Sequence, residues 1–443
     1  MLKVLVIGGG GREHALVWKL AQSSQVSRIY CAPGNAGIAN LAECVPLAIT
    51  DSEALLGFAI ENGIDLTVVG PEVALIGGIV DLFEQRGLRI FGPAREPALL
   101  EGSKAYAKGL MLRYNIPTAY FAAFTSFEAA SYYVRSHFQS QADAPLVVKA
   151  DGEAAGKGVF ICRTDGEAQE ALSQIMQERI FGASGDTVVV EEFLEGEEAS
   201  LMAFTDGTTI VPMIPVQDHK RALDGDQGPN TGGMGCYAPV PVVTPELYQQ
   251  AVEQILRPAI EAIRESGIPY KGVLYAGIMV TKDGALKTLE FNCRFGDPET
   301  QVVLPLLETD LLDILLGVTD AHLDEVQVRW KPQSAVCVVL ASGGYPGAYA
   351  TGLPIDGLEQ VAHLSDVVAF HAGTKLDDQG RVVTAGARVL GVTALGDDFT
   401  QARARAYAAV KNLTFDHMHY RTDIGHRAEE APDPTTVDGG GAE

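Results

Sequence analysis

Four short, mainly apolar runs at residues 3–7, 28–32, 66–70 and 89–92, separated by helical stretches, constrain the fold of this chain most. Runs too short for helices that alternate with helical spacers bury themselves as parallel strands joined by crossover helices, which predicts an amino-terminal βαβ sheet. The first run, Lys3-Val4-Leu5-Val6-Ile7, leads into glycines without a signal-peptide cleavage pattern and is expected to be a buried strand. The alternation stops around residues 93–103, where a helix carrying Lys104 and Lys108 leads to Ile116-Pro117-Thr118. A boundary near residue 102 follows.

Residues 146–150, 159–163 and 187–192 read as strands around a glycine loop, a small lid-like α+β module spanning about 118–193. Residues 196–320 supply further strands and two long helices. At 334–341 a new strand series begins, ending in a helix near 399–413. The expected fold is thus multidomain α/β and α+β, with units at 1–102, 103–324 and 325–428. Pro432, Pro434 and three successive glycines predict a disordered tail over 429–443.

Composition narrows the function classes. With 33 basic against 57 acidic side chains, the formal charge of -24 argues against nonspecific binding to nucleic acid or to an anionic membrane. The most apolar long segment, residues 302–318, is interrupted by Glu308, Asp310 and Asp313 and is not expected to span a membrane. Six cysteines without a Cys-x-x-Cys pair suggest neither a disulfide framework nor a zinc cluster, and fit a reducing cytoplasm. His417 and His419 could pair on a strand. No third metal ligand is identifiable beside them, so a surface or packing role is expected.

Gly8-Gly9-Gly10-Gly11-Arg12-Glu13-His14 follows the first strand and opens a helix, where backbone amides can approach a phosphate. The dinucleotide fingerprint fails, because Arg12, Glu13 and His14 stand three residues beyond Gly9, Gly10 and Gly11, and the second strand ends in Ala32-Pro33-Gly34 without an acidic residue. A phosphate-bearing small substrate is the functional reading; a tight strand-to-helix turn is the structural one. In the second motif, Lys149 ends a strand and is followed by Gly152, Gly156, Lys157 and Gly158. Such a loop can close over phosphates that Lys149 neutralises. It is no Walker A loop, since three residues separate Gly152 and Gly156 and a glycine follows Lys157. A plain hairpin would also contain these glycines. The stretch from Val190 to Ser200 then breaks from an apolar strand into an acidic connection. Glu198 there can accept from ribose hydroxyls, although acidic runs are more often solvated faces.

The run from Thr288 to Gln301 carries the densest chemistry. On an extended strand Glu290, Asn292 and Arg294 face one way. Glu290 and Asn292 are oxygen donors of the kind Mg²⁺ takes from a protein when phosphates and water complete its shell. Asp297-Pro298 reads as a helix N-cap and first turn, which would set a positive helix end beside Arg294. An ordinary amphipathic strand is the alternative.

Together, Lys104, Lys149, the glycine loop, the 191–198 hinge and Glu290-x-Asn292-x-Arg294 occur in the order seen in ATP-grasp ligases. The segment Gln217-Asp218-His219-Lys220-Arg221-Ala222-Leu223-Asp224-Gly225-Asp226-Gln227-Gly228-Pro229-Asn230-Thr231-Gly232-Gly233-Met234-Gly235 resembles the signature of the phosphoribosylamine–glycine ligase family. Gly70-Pro71-Glu72, Pro33-Gly34-Asn35-Ala36-Gly37, Leu100-Glu101-Gly102-Ser103-Lys104, His371-Ala372-Gly373-Thr374 and Arg421-Thr422-Asp423-Ile424-Gly425 are similar to the same family. The likeness covers about residues 1–428. Glu153 stands where the family loop usually has leucine, and Ala387 where a second glycine usually follows Gly386.

The resemblance implies a pre-ATP-grasp domain, an ATP-grasp domain with a mobile lid, and an α+β carboxy-terminal domain. It also implies ligation of glycine to 5-phosphoribosylamine through a glycyl phosphate, with ATP and Mg²⁺ or Mn²⁺, by a cytoplasmic monomer without nucleic-acid or membrane partners. On this reading Lys104, Lys149, Gly152, Gly156, Lys157 and Gly158 hold the phosphates, Glu191 and Leu194 the adenine, and Glu198 the ribose. Glu290 and Asn292 hold the metal. Gly10, Gly11, Arg12, Glu13, Asn35, Asp218, Lys220 and Asp297 belong to the substrate pockets. Arg294, Lys149 and Asp218 carry the chemistry, Arg294 steadying the acyl phosphate or the glycine carboxylate. A carboxylating or formylating purine ligase would differ in residues 217–235. A decayed nucleotide sensor would be expected to have lost Lys149, Glu290 or Asn292, and a dehydrogenase would carry the missing fingerprint.

Overall fold

The computed structural model describes residues 1–152 and 158–430. Strands β1 (Leu2–Gly8), β2 (Val26–Pro33), β3 (Glu43–Cys44), β4 (Leu66–Val69) and β5 (Ile90–Phe91) form a parallel sheet in the order β3-β2-β1-β4-β5. The two-residue β3 has no apolar run to announce it in the sequence. Both faces of the sheet are covered: Leu5 and Ile7 pack into one core, Val4 and Val6 into another. Strand order reverses at β1, so the glycine loop leaving its carboxyl end opens at the crevice where such sheets bind ligands.

Ser103 caps the helix Lys104–Arg113, its hydroxyl accepting from Tyr106 N at 3.1 Å. Strands β6 (Phe121–Phe124), β7 (Leu146–Ala150), β8 (Val159–Cys162) and β9 (Val188–Glu192) then build an antiparallel sheet ordered β6-β9-β7-β8. Its side chains Val148 and Val190 cluster with Val134 and Leu172 of the helices Phe127–Ser140 and Asp165–Leu172, a core of their own. Strands β10 (Gly196–Thr205) and β11 (Ile210–Pro212) start a third sheet. The chain next lays down β12 (Gln217–Asp218), the ribbon β13 (Arg221–Leu223) with β14 (Gln227–Asn230), and β15 (Gly235–Ala238). Strands β16 (Gly272–Thr281) and β17 (Leu286–Asn292) then complete the third sheet as β11-β10-β16-β17.

The amino-terminal and third sheets share cores: Leu5 and Ile7 cluster with Leu201, Ile278 and Phe291, and Val4 and Val6 with Met202, Phe204 and Leu315. These two sheets form one packed base, over which the β6–β9 module stands with separate packing.

The carboxy-terminal part adds β18 (Ser334–Ala341), β19 (Val367–His371), the ribbon β20 (Thr374–Leu376) with β21 (Val382–Thr384), and β22 (Arg388–Gly396). Its main sheet runs β12-β15-β18-β22-β19. Segment 217–238 therefore leaves its sequence neighbours and joins the carboxy-terminal sheet, with Asp218 opposite Cys236 and Cys236 opposite Cys337. Helix Phe399–Val410 covers this sheet with Ala402, Ala406 and Val410.

Two expectations change. His417 lies in a turn with φ of 58°, not on a strand, and His419 Nε2 lies 2.7 Å from the Ala222 carbonyl. Residues His426–Glu430 form a short helix in which Glu429 accepts from Arg403, so the first two residues assigned to the tail belong to that helix; 431–443 lie outside the described residues. The apolar segment 302–318 falls in two short buried helices, Thr300–Leu306 and Leu311–Thr319. Among the described residues no helix is long and apolar enough to cross a membrane.

Candidate active site

Glu290 lies at the centre of the site. On β17 it pairs with Gly277 of β16, at a register shift between Gly277 and Ile278; a Cβ at Gly277 would come within 3.3 Å of Glu290 Cγ. Burial pushes the Glu290 carboxyl up, but the charges of Lys220, Lys149, Lys104 and Arg294 outweigh it and hold the group below its usual range. Lys104, Lys149, Lys220 and Arg294 thus act on one carboxylate, a gathering of cations that can receive a polyphosphate with its metal ion. Asn292, two residues along on the same face, places Oδ1 3.2 Å from Arg294 Nη2. The pair is a fitting hard-oxygen donor set for Mg²⁺ or Mn²⁺.

The lysines come from different elements. Lys104, first residue of its helix, donates to the Gly152 carbonyl at 3.0 Å, and Asp151 accepts from Ala105 N at 2.6 Å and from Ser103 Oγ at 3.0 Å. These bonds bind the helix start to the glycine loop. Burial pushes Lys104 down, with Glu290 opposing. A Cβ at Gly152 would fall 2.4 Å from Ser184 Oγ, so only glycine fits. Gly158 is buried; Glu153, Gly156 and Lys157 lie outside the described residues. Lys149 Nζ sits 2.9 Å from Glu191 Oε1, and Lys108 Nζ 2.9 Å from Glu191 Oε2. Leu194 occupies the connection from β9 to β10, and Glu198 is exposed on β10.

Arg294 is clamped by two carboxylates. Its Nη2 lies 2.8 Å from Glu101 Oε1 and its Nε 3.2 Å from Glu72 Oε2. Burial pushes Glu101 up despite Arg294, whereas Arg294 and Arg12 overcome burial to pull Glu72 down. Arg12 reaches the same place from the amino-terminal loop, with Nη1 3.2 Å from the Phe295 carbonyl and Nε 2.6 Å from Glu13 Oε1. Glu13 also accepts from Gly10 N at 2.6 Å, and a Cβ at Gly70 would overlap it at 2.0 Å. The glycines here serve Glu13 as well as leaving the loop open; Gly11 abuts Gln301. Asn35 donates to the Gly9 and His371 carbonyls and accepts from Gly37 N and Ile38 N. Its amide is spent on holding the loops together, so it shapes the pocket instead of offering a free contact.

Asp218 and Lys220 reach the site from the carboxy-terminal sheet, 3.3 Å apart. Burial, with Glu299 adding, raises the Asp218 carboxyl to about 7 although Lys220 and Arg388 oppose; among the described residues its Oδ1 has no hydrogen-bond partner. Lys220 is held well above its usual range: burial opposes, and Tyr275, Asp218, Glu299 and Glu198 prevail. Buried Glu299 accepts from Ser200 Oγ at 3.0 Å and Tyr275 OH at 2.9 Å.

Asp297 is not a helix cap. The helix starts at Thr300 with Glu299 at its N-cap position, and the Asp297 carboxylate instead accepts from Gln301 Nε2 at 2.9 Å and faces Arg388 at 3.5 Å. The helix end expected at Asp297-Pro298 beside Arg294 is thus displaced to Thr300. Sequence reading left Glu72, Glu101, Lys108, Ser200, Tyr275, Glu299 and Arg388 without roles. Glu72, Glu101 and Glu299 lie inside or beside quoted motifs, and Lys108 follows Lys104 by one helical turn; Ser200, Tyr275 and Arg388 carry no local signal.

Three family profiles match the chain: the phosphoribosylglycinamide synthetase N domain over residues 2–101, its ATP-grasp (A) domain over 102–300 and its C domain over 335–427. A phosphoribosylamine–glycine ligase of Caldanaerobacter subterraneus subsp. tengcongensis is 50% identical over 423 residues, 96% of this chain and 99% of that one. One from Nostoc sp. is 51% identical over 429 residues, with 96% and 99% covered. The crystal structure of the Thermotoga maritima phosphoribosylamine–glycine ligase gives a TM-score of 0.82 at 33% identity, covering 96% of this chain and all, 100%, of that one. A biotin carboxylase from Campylobacter jejuni, at 14% identity and a TM-score of 0.72 over 98% and 96% of the two chains, shares the fold alone. Matched in all three domains and half identical to full-length relatives, the chain belongs to the phosphoribosylglycinamide synthetase family.

Proposed function

We infer that this enzyme ligates glycine to 5-phosphoribosylamine at the expense of ATP, giving glycinamide ribonucleotide, ADP and phosphate in de novo purine biosynthesis. The observation that carries the reading at this site is the ring of Lys104, Lys149, Lys220 and Arg294 around Glu290, beside the clamped pair Arg294 and Glu101. A carboxylate is a poor acyl donor toward an amine. A glycine carboxylate oxygen therefore attacks the γ-phosphorus and ADP leaves; the amine of phosphoribosylamine then attacks the acyl carbon and phosphate leaves.

Positioning and charge neutralisation dominate such a transfer, and no side-chain nucleophile is needed. Lys104 and Lys149 neutralise the polyphosphate, with the glycine loop's Gly152, Gly156, Lys157 and Gly158 along it. Glu191 and Leu194 meet the adenine and Glu198 the ribose. The enzyme uses ATP with a divalent metal; Mg²⁺, or Mn²⁺ in its place, is the ion proposed, held by Glu290 and Asn292, where it would neutralise nonbridging phosphate oxygens. Arg294, fixed by Glu72 and Glu101, steadies the acyl phosphate. Asp218 Oδ1, buried and unpartnered, accepts the amine's proton as the C–N bond forms, a task matched by a carboxyl poised at about 7. Gly10, Gly11, Arg12 and Glu13 shape the phosphoribosylamine pocket, with Asn35 bracing it and Lys220 and Asp297 at its far side.

The domain limits near residues 102 and 325, a cytoplasmic location and a monomeric state complete the proposal. Six unpaired cysteines suit a reducing compartment. A coupled ADP-release assay with glycine and freshly generated phosphoribosylamine, run beside bicarbonate and formate as alternative acids, tests the reaction. ADP release that is independent of glycine, or faster with another acid, would overturn it.

A further inference from the structure

Lys108 is buried at 2% exposure, one helical turn beyond Lys104 and on the same face. Its ammonium donates to Thr118 Oγ1 at 2.7 Å and meets Glu191 Oε2 at 2.9 Å, and Thr118 Oγ1 donates in turn to the Thr288 carbonyl at 2.7 Å. It is therefore held by two partners, one of them anchored in turn to the backbone. Glu191 is as deeply buried, and it faces a second ammonium, Lys149 Nζ, 2.9 Å from Oε1. Among the described residues Glu191 Oε1 has no hydrogen-bond partner, so Lys149 holds it by charge alone. One carboxylate thus stands between two lysines, one locked and one loosely held. Burial pushes Lys108 down to about 8 while Glu191 pulls it up, as expected of an ammonium kept charged by that carboxylate.

We propose that Lys108 is a positioning residue for the nucleotide site: it keeps Glu191 neutralised and oriented, so that Lys149 can leave Glu191 for a phosphate when ATP enters. Without Lys108, Glu191 would be a buried carboxylate with Lys149 as its sole ammonium, and it would hold Lys149 back, because releasing Lys149 would leave an uncompensated charge. The inference rests on the reading that Lys149 and Glu191 line the nucleotide site.

Calorimetric titration with Mg·ADP, together with Michaelis constants for ATP and glycine, separates the possibilities across Lys149→Met, Lys108→Met, Glu191→Gln and the double variant Lys108→Met/Glu191→Gln. Lys149→Met tests the underlying reading, which fails if ADP affinity is unchanged. With that loss in hand, Lys108→Met should weaken Mg·ADP and raise the ATP constant by about tenfold, while the glycine constant moves less than about twofold. A purely structural role would move both constants or neither, and either pattern overturns the proposal. In the double variant the charge to be compensated is gone, so its ADP affinity should equal that of Glu191→Gln. An affinity about tenfold below Glu191→Gln would mean that Lys108 acts on the nucleotide without Glu191, and would also overturn it. This last comparison stands even if Lys108→Met alone fails to fold, because the double variant leaves no buried Glu191 charge to compensate and Lys149 loses the same contact in both variants compared.

Discussion

Arg12 and Arg294 converge on one carboxylate oxygen: Arg12 Nη1 lies 3.8 Å and Arg294 Nε 3.2 Å from Glu72 Oε2. One arginine opens the first helix and the other follows the last strand of the third sheet, so Glu72 joins the amino-terminal loop to the arginine proposed to steady the acyl phosphate. The shared cores beneath them make this a fixed junction. Amine and acyl phosphate can therefore be held in one geometry, which is where much of the rate of a two-substrate reaction originates.

Arg12→Ala should weaken phosphoribosylamine use far more than ATP use, because Arg12 sits on the amino-terminal side of this junction and the lysines on the other. Loss of a charge-assisted contact costs about 1.5–3 kcal/mol, roughly ten- to hundredfold in apparent affinity. Michaelis constants for all three substrates check it; an equal rise for ATP would place the loop in the nucleotide site.

Glu290→Gln or Asn292→Ala should reduce turnover by at least about a hundredfold at saturating Mg²⁺, since each removes an oxygen donor from a site built for charge neutralisation. The fold should survive, as neither side chain is part of a hydrophobic core. Circular dichroism on heating checks the fold, and near-normal turnover in either variant would remove these residues from the metal site.

Much of the site was legible because strand periodicity is strict. Glu290 and Asn292 could be placed on one face from spacing alone and Lys149 from its place before a glycine loop, whereas Lys104 and Lys220 stood out only through the family resemblance. The partners were not legible, since the carboxylates that clamp Arg294 come from two short helices, Glu72–Ile76 and Leu99–Gly102, whose meeting with it is set by tertiary packing. Asn35 looked available because it is a polar loop residue, yet its amide is fully used by four backbone groups. Asp297-Pro298 has the residue types of a helix start, but Gln301 and Arg388 draw the carboxylate away from the capping amides. At fold level, the long apolar strands were evident, while the two-residue β3 and the departure of 217–238 to another sheet depend on tertiary pairing.

Arg294→Met should destabilise the protein by about 3–5 kcal/mol, because it strands the buried Glu101 and leaves Glu72 with Arg12 alone. Adding Glu101→Gln should recover part of the loss, as the more buried carboxylate no longer carries a charge. Urea unfolding of the single and double variants measures both; a double variant less stable than Arg294→Met would contradict the clamp.

The last prediction concerns pH. The Asp218 carboxyl titrates at about 7 in the folded protein against an ordinary 3.8. Between these values the folded state keeps a proton that the unfolded chain has released, so this group makes stability fall as pH rises from about 4 to 7 and leaves it level above. Asp218→Asn removes that fall. The variant should therefore gain in melting temperature relative to the parent as pH rises, with the difference complete by about pH 8. Catalysis should move the opposite way: turnover of the parent rises through an apparent pKa near 7 as Oδ1 becomes free to accept the amine's proton, and Asp218→Asn loses both the rise and most of the turnover. Parallel melting and rate profiles from pH 5 to 9 check the pair; a variant that keeps the parent's rate profile would show that the proton goes elsewhere.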